Sequence, residues 1–77
     1  MKEGIFQGMA EKWPSAFVAR TEVPAFTGGL MSEKYQANLD SLGKGPDGAI
    51  RVGRKIAYPV KNYVEWLEGR TVSIRKK

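Results

Sequence analysis

The chain has 77 residues with 13 Lys or Arg against 8 Asp or Glu, a net charge of +5, and neither Cys nor His. That length fits one small domain with a thin core, and the missing thiols and imidazoles exclude disulfides, thiolate or imidazole catalysis and the usual zinc sites. The carboxylates are scattered from Glu3 to Glu68 with no close pair suited to acid–base or metal chemistry, so the composition reads as a non-enzymatic protein with no cofactor.

Residues 1–14 read as an arm. Gly4 and Gly8 interrupt any helical run and Pro14 closes the segment, while Ile5, Phe6, Met9 and Trp13 recur at roughly helical spacing and could fold back on the body. The start, "MKEGIFQGMAEKW", carries two glutamates and lacks the apolar region and cleavage site of a signal peptide. No run anywhere approaches the roughly 20 apolar residues that cross a bilayer. The expectation is an intracellular, cytoplasmic protein with no membrane partner.

"SAFVAR", residues 15–20, is a strand or a short lead-in. "TEVPAFTGG" then predicts a helix of about two turns, with Thr21 as N-cap, Glu22 in its first turn, Pro24 at the third position, and Gly28 and Gly29 as the stop. A second helix is expected in "SEKYQANLDSLG", between a Ser32 cap and a Gly43 stop. Tyr35, Leu39 and Leu42 fall at i, i+4 and i+7 and should face the core, leaving Lys34, Gln36, Ala37, Asn38 and Ser41 outside. Two short helices joined by "GGLM" form a helix-turn-helix.

"GKGPDG", residues 43–48, is a turn-rich connection. Then "AIRV" and "KIAY" flank Gly53 and Arg54, a two-residue loop with Gly first that suits a type II′ hairpin. Ile50, Val52, Ile56 and Tyr58 are expected to anchor its base, with Arg51, Arg54 and Lys55 outward or at the tip. "YPVKNYVEWLEGR" predicts a third helix with Pro59 in its first turn, Gly69 as its stop, and Val60, Tyr63, Val64 and Leu67 as its buried stripe. Residues 70–77 form a basic tail, a last strand or a disordered end. Trp66, Tyr63, Tyr58 and Phe26 are expected to build the core, because a domain this small needs its aromatics there.

The charge divides unevenly. Residues 1–42 hold four basic and five acidic side chains, whereas residues 43–77 hold nine basic and three acidic ones, so the positive field belongs to the second half. Such asymmetry suggests a polyanionic partner, and a solubilising surface is the plainer alternative.

The order of helix, glycine turn, helix, "VGR" hairpin and a helix carrying Trp-Leu resembles the small winged helix-turn-helix proteins of phages and mobile elements. These are the excisionase and AlpA-type regulators, related in fold to the DNA-binding domain of the MerR family. The resemblance spans residues 20–68 and is strongest in "GKGPDGAIRVGRKIAYPVKNYVEWL". It implies an α+β winged helix-turn-helix over residues 15–69, three helices with a two-stranded hairpin wing. It also implies a bacterial or phage-encoded, nucleoid-associated protein that binds double-stranded DNA, directs excision or regulates transcription, self-associates along DNA, and meets an integrase or RNA polymerase. The chain departs from the family in carrying Glu33 and Asp40 on the reading helix and in lacking an acidic residue near the start of its last helix.

On this reading the recognition helix would contact DNA through Ser32, Lys34, Gln36, Ala37, Asn38 and Ser41: Lys34 at phosphate or guanine, Gln36 and Asn38 paired with adenine, and the serines at the backbone. The wing would use Arg51, Arg54 and Lys55 in a minor groove or on its phosphates. Lys44, Arg75, Lys76 and Lys77 are candidates for further phosphate contacts. A solvated helix face or edge strand would also carry such residues. The rival function is a protein-interaction module, a phage adaptor or inhibitor on the same scaffold, since Glu33 and Asp40 would repel phosphate and Phe6, Met9 and Trp13 could dock a partner.

Overall fold

Strand β3 (Lys55–Pro59) is the hub of the computed structural model, which describes residues 8–71. It lies between β1 (Phe17–Ala19) and β2 (Ile50–Val52) in an antiparallel sheet of order β1-β3-β2, pairing Phe17 with Pro59 on one side and Val52 with Lys55 on the other. Among the described residues four α-helices join the sheet: α1 at residues 8–12, α2 (Val23–Phe26), α3 (Glu33–Ser41) and α4 (Val60–Gly69). The chain is therefore α+β among the described residues.

The described part of the arm belongs to the body. Met9, Ala10 and Trp13 pack against the core, the Trp13 ring meets Phe26 edge-on at 5.1 Å, and its indole N–H donates to the Phe17 carbonyl at 2.9 Å. Expectations for Ile5 and Phe6, and for Arg75, Lys76 and Lys77, lie outside the described residues.

The first expected helix is shorter and starts later than Thr21 would have it. Arg20–Glu22 form a 3-10 turn, α2 follows with Pro24 at its start, and Thr21 caps neither. Glu22 instead bends back, its carboxylate accepting the Ala19 N–H at 3.2 Å, and Pro24 has no N–H to extend an α-helical ladder backwards. Buried Thr27 ties the turn together, donating from its hydroxyl to the Val23 carbonyl and accepting the Met31 N–H.

Helix α3 starts where expected, with the Ser32 hydroxyl accepting the Tyr35 N–H at 3.0 Å. Its inward face is different. Gln36 and Leu39 are buried, whereas Tyr35 is 45% and Leu42 67% exposed. The reason is what α3 packs on: Tyr58 and Tyr63 are fully buried, and their hydroxyls need partners that Gln36 and Asp40 supply.

The hairpin forms around Gly53 and Arg54 as expected, with positive φ (63°) at Gly53 alone, the pattern of a type II′ turn. Its register corrects the face assignment. Arg51 stands opposite Ile56, and Ile50 opposite Ala57, so Arg51 shares a face with Ile56 and Tyr58 while Ile50 and Val52 occupy the reverse face with Lys55. Ile50 and Val52 thus do not anchor the base and stay 40% and 66% exposed.

In α4 the expected stripe of Val60, Tyr63, Val64 and Leu67 is buried, and together with Val18, Val23, Phe26, Met31, Leu39 and Tyr58 it makes the core. Tyr63 sits at its centre, tilted against Tyr58 and Trp66 and edge-on to Phe26. Gly69 does not stop the helix. It is the last helical residue, Arg70 is the cap, and the Thr71 hydroxyl closes the end on the Leu67 carbonyl.

Candidate nucleic-acid interface

Helix α3 sits in the middle of the candidate surface because its neighbours hold it by polar contacts as well as packing. Tyr63 donates its hydroxyl to Gln36 Oε1 at 2.8 Å, Gln36 Nε2 donates to Asp40 Oδ1 at 3.2 Å, and Tyr58 donates to Asp40 Oδ2. Arg20 closes the network, donating from Nη2 to Asp40 Oδ2 at 2.6 Å and from Nε to the Tyr58 hydroxyl at 3.0 Å. Every buried side-chain polar atom among the described residues has a partner. Four elements, the 3-10 turn, α3, β3 and α4, are thereby fixed to one another.

Burial pushes the Tyr58 hydroxyl up to about 12, and its bond to Asp40 adds to the shift. Burial also raises Tyr63. For Arg20 burial works against the charge, but the bonds to Tyr58 and Asp40 outweigh it and raise its pKa. All three groups therefore hold their protons across the neutral range.

Gly45 is where the loop after α3 meets this network. A Cβ there would run into the Asp40 carboxylate, so only glycine lets the chain pass this close. Two side chains of α4 pin the same loop: Trp66 donates its indole N–H to the Lys44 carbonyl at 2.8 Å, and Asn62 donates to the Asp47 carbonyl at 3.0 Å.

With Gln36, Leu39 and Asp40 turned inward, a rotation of roughly 100° per residue aims Lys34, Asn38 and Ser41 straight away from the core. All three are exposed, and none of their side chains makes a hydrogen bond within the described residues. Ala37 is half-buried on the flank towards Asp40, and exposed Ser32 is engaged as the cap. Gln36 is corrected from reader to core residue: it is 0% exposed and both ends of its amide are bonded internally. Asp40, read from sequence as a carboxylate facing outward, is held by Arg20 and Tyr58 instead. Glu33 alone of the two acidic residues stays exposed, in the first turn of α3.

The hairpin cations separate by register. Arg51 lies on the sheet face that meets α3, Arg54 at the tip, and Lys55 on the reverse face. Between α3 and the hairpin opens a cleft of about 310 Å³ whose walls include Arg20, Asp40, Gly45, Pro46 and Ile56. Lys44 is exposed in the loop after α3.

Sequence reasoning did not single out Arg70. It is exposed at the end of α4, its guanidinium lies 5.3 Å from the centre of the Trp66 ring, and Nη2 donates to the Tyr35 hydroxyl at 3.3 Å. The one signal in the sequence was the i, i+4 spacing of Trp66 and Arg70, but its meaning depends on where α4 lies relative to α3. Among the described residues no cluster of acidic side chains could hold a metal ion, and no helix is long and apolar enough to cross a membrane.

Compared with protein-family models, curated proteins and solved structures, the chain shows no significant match to any.

Proposed function

We propose that the protein is a winged helix-turn-helix module that binds double-stranded DNA sequence-specifically, with α3 in the major groove and the β2–β3 hairpin as its wing. The observation that carries this reading is the sorting of charge about α3. The carboxylate of its last turn, Asp40, is paired with Arg20, while Lys34, Asn38 and Ser41 point outward and Arg51 lies on the sheet face that meets α3. An outward face of this kind suits phosphate and base edges, and the hairpin tip with Arg54 suits a neighbouring minor groove.

The resemblance to excisionases and AlpA-type regulators supports the same reading and extends it. The module acts by binding alone, several copies bending DNA or recruiting an integrase or RNA polymerase. Bending at an attachment site would favour a role in excision over one in transcription.

The test is a fluorescence-anisotropy titration of labelled duplex at several salt concentrations. Wild-type affinity should fall steeply with salt, and the double variant Arg51→Ala/Arg54→Ala should bind several-fold more weakly with a slope reduced by about 2. Salt-insensitive binding, or an unchanged double variant, overturns the reading. A second reading, a protein-interaction module, is favoured by the reverse face of the sheet, where Phe17 (41%), Ile50 (40%) and Val52 (66%) are exposed together. Only the DNA reading predicts the salt slope.

A further inference from the structure

We infer that Arg70 is a preset phosphate contact on the flank of α3 opposite the hairpin, an inference that rests on the DNA-binding reading above. Helix α4 runs antiparallel alongside α3 and its loop. Asn62 meets Asp47, Trp66 meets Lys44, Tyr63 meets Gln36, and Arg70 at the far end reaches Tyr35 in the first turn of α3. Around α3, Asp40 marks the side that meets β3 and Arg20, and Tyr35 lies on the other side of the outward row of Lys34, Asn38 and Ser41. The sheet face that carries Arg51 and the α4 end that carries Arg70 therefore lie on the two sides of the outward row.

The guanidinium is held in a particular way. The Trp66 ring lies beneath it and the Tyr35 hydroxyl takes one of its N–H groups, yet no carboxylate among the described residues pairs with it. A guanidinium has five N–H donors in a planar fork, so one bond to Tyr35 leaves most of the fork free for an anion. Stacking and hydroxyl contact remove rotamer freedom in advance, which lowers the ordering cost of a bidentate phosphate contact. A helix in the major groove lies between two phosphate backbones about 12 Å apart, and a cation on each flank suits that spacing. A purely structural role is the alternative, because a cation at a helix C-terminus also favours the helix dipole. That role predicts a change in stability and none in DNA affinity.

The experiment is anisotropy at three salt concentrations on two duplexes of unrelated sequence, with wild type, Arg70→Ala, Arg70→Lys and Arg51→Ala/Arg54→Ala. Arg70→Ala should weaken both duplexes by the same several-fold factor and lower the salt slope by about 1, and Arg70→Lys should recover part of the affinity. An Arg70→Ala variant with wild-type affinity and slope, while the hairpin variant is impaired, overturns the inference and leaves the DNA reading standing. Unequal loss on the two duplexes also overturns it, since a phosphate contact does not read sequence. If the wild type shows no salt-dependent binding, the DNA reading falls and this inference with it. Thermal melting of each variant separates lost contact from lost fold. Should Arg70→Ala melt early, Arg70→Lys decides, because it keeps the helix-end cation and loses the planar fork: affinity equal to wild type overturns the inference, and a partial loss supports it.

Discussion

The two sides of α3 carry similar residue types and do opposite jobs. Inward, Gln36 and Asp40 are tied to Tyr63, Tyr58 and Arg20, whereas outward Lys34, Asn38 and Ser41 have no side-chain hydrogen bond among the described residues. An amide or carboxylate on a helix is thus not by itself a surface residue. What decides is whether the neighbouring elements present hydroxyls and guanidinium groups that need it.

This contrast can be broken most forcefully from the inside. Gln36→Ala leaves the buried Tyr63 hydroxyl without its acceptor and opens a void, and should cost about 2–4 kcal/mol of stability in urea denaturation. A loss under about 0.5 kcal/mol would mean that the network does not hold α3 in place.

Gly45→Ala should come next, at about 1–3 kcal/mol in the same assay, since the added methyl collides with a carboxylate that three partners hold still. Wild-type stability for this variant would show that the loop can move away from α3 freely.

The alkaline limb of the stability profile sharpens the comparison further. Tyr58 has its folded pKa raised to about 12, above its unfolded value near 10. The folded state then holds more protons between those values, so this contribution is complete below about pH 10 and is lost as pH rises towards 12. Tyr58→Phe should flatten that loss in denaturation curves collected across the window, with Tyr63, also raised by burial, retaining the remainder. An identical slope in the variant would remove Tyr58 as its source.

The smallest effect on stability belongs outside. Lys34→Ala should stay within about 0.5 kcal/mol of wild type while lowering duplex affinity several-fold. Destabilisation comparable with Gln36→Ala would mean that the outward face is not free.

Much of the fold is legible in local chemistry. The Ser32 cap, the Gly53 turn and the stripe of Val60, Tyr63, Val64 and Leu67 each depend on residues within a few positions of one another, and each is as expected. The rotation of α3 is not legible, because spacing alone treats Leu42 as core and Gln36 as surface. The correct facing depends on two tyrosines about 20–30 residues further on. The hairpin faces fail for a different reason. Here the information is local: a two-residue loop at Gly53 and Arg54 already pairs Val52 with Lys55 and Arg51 with Ile56, so alternation read strand by strand, without that pairing, puts Ile50 and Val52 on the wrong face. Of the candidate site, the outward placement of Lys34, Asn38 and Ser41 agrees with expectation, Gln36 does not, and Arg70 enters only when α4 is laid beside α3.

The pairing of β1 with β3 also has a bearing on time. The β2–β3 hairpin closes across two residues, an event of roughly 1–10 μs, but joining Phe17 to Pro59 must gather about 40 residues of intervening chain, at an entropic cost that local contacts cannot offset beforehand. Both α2 and α3 lie inside that long loop. Val18→Ala should accordingly accelerate unfolding and leave the folding rate nearly unchanged, whereas Ile56→Ala should slow folding, and stopped-flow chevrons would expose the reverse. Strand β1, three residues long, then acts as the clasp of the molecule, because the residue that follows it, Arg20, is the one that holds α3 through Asp40.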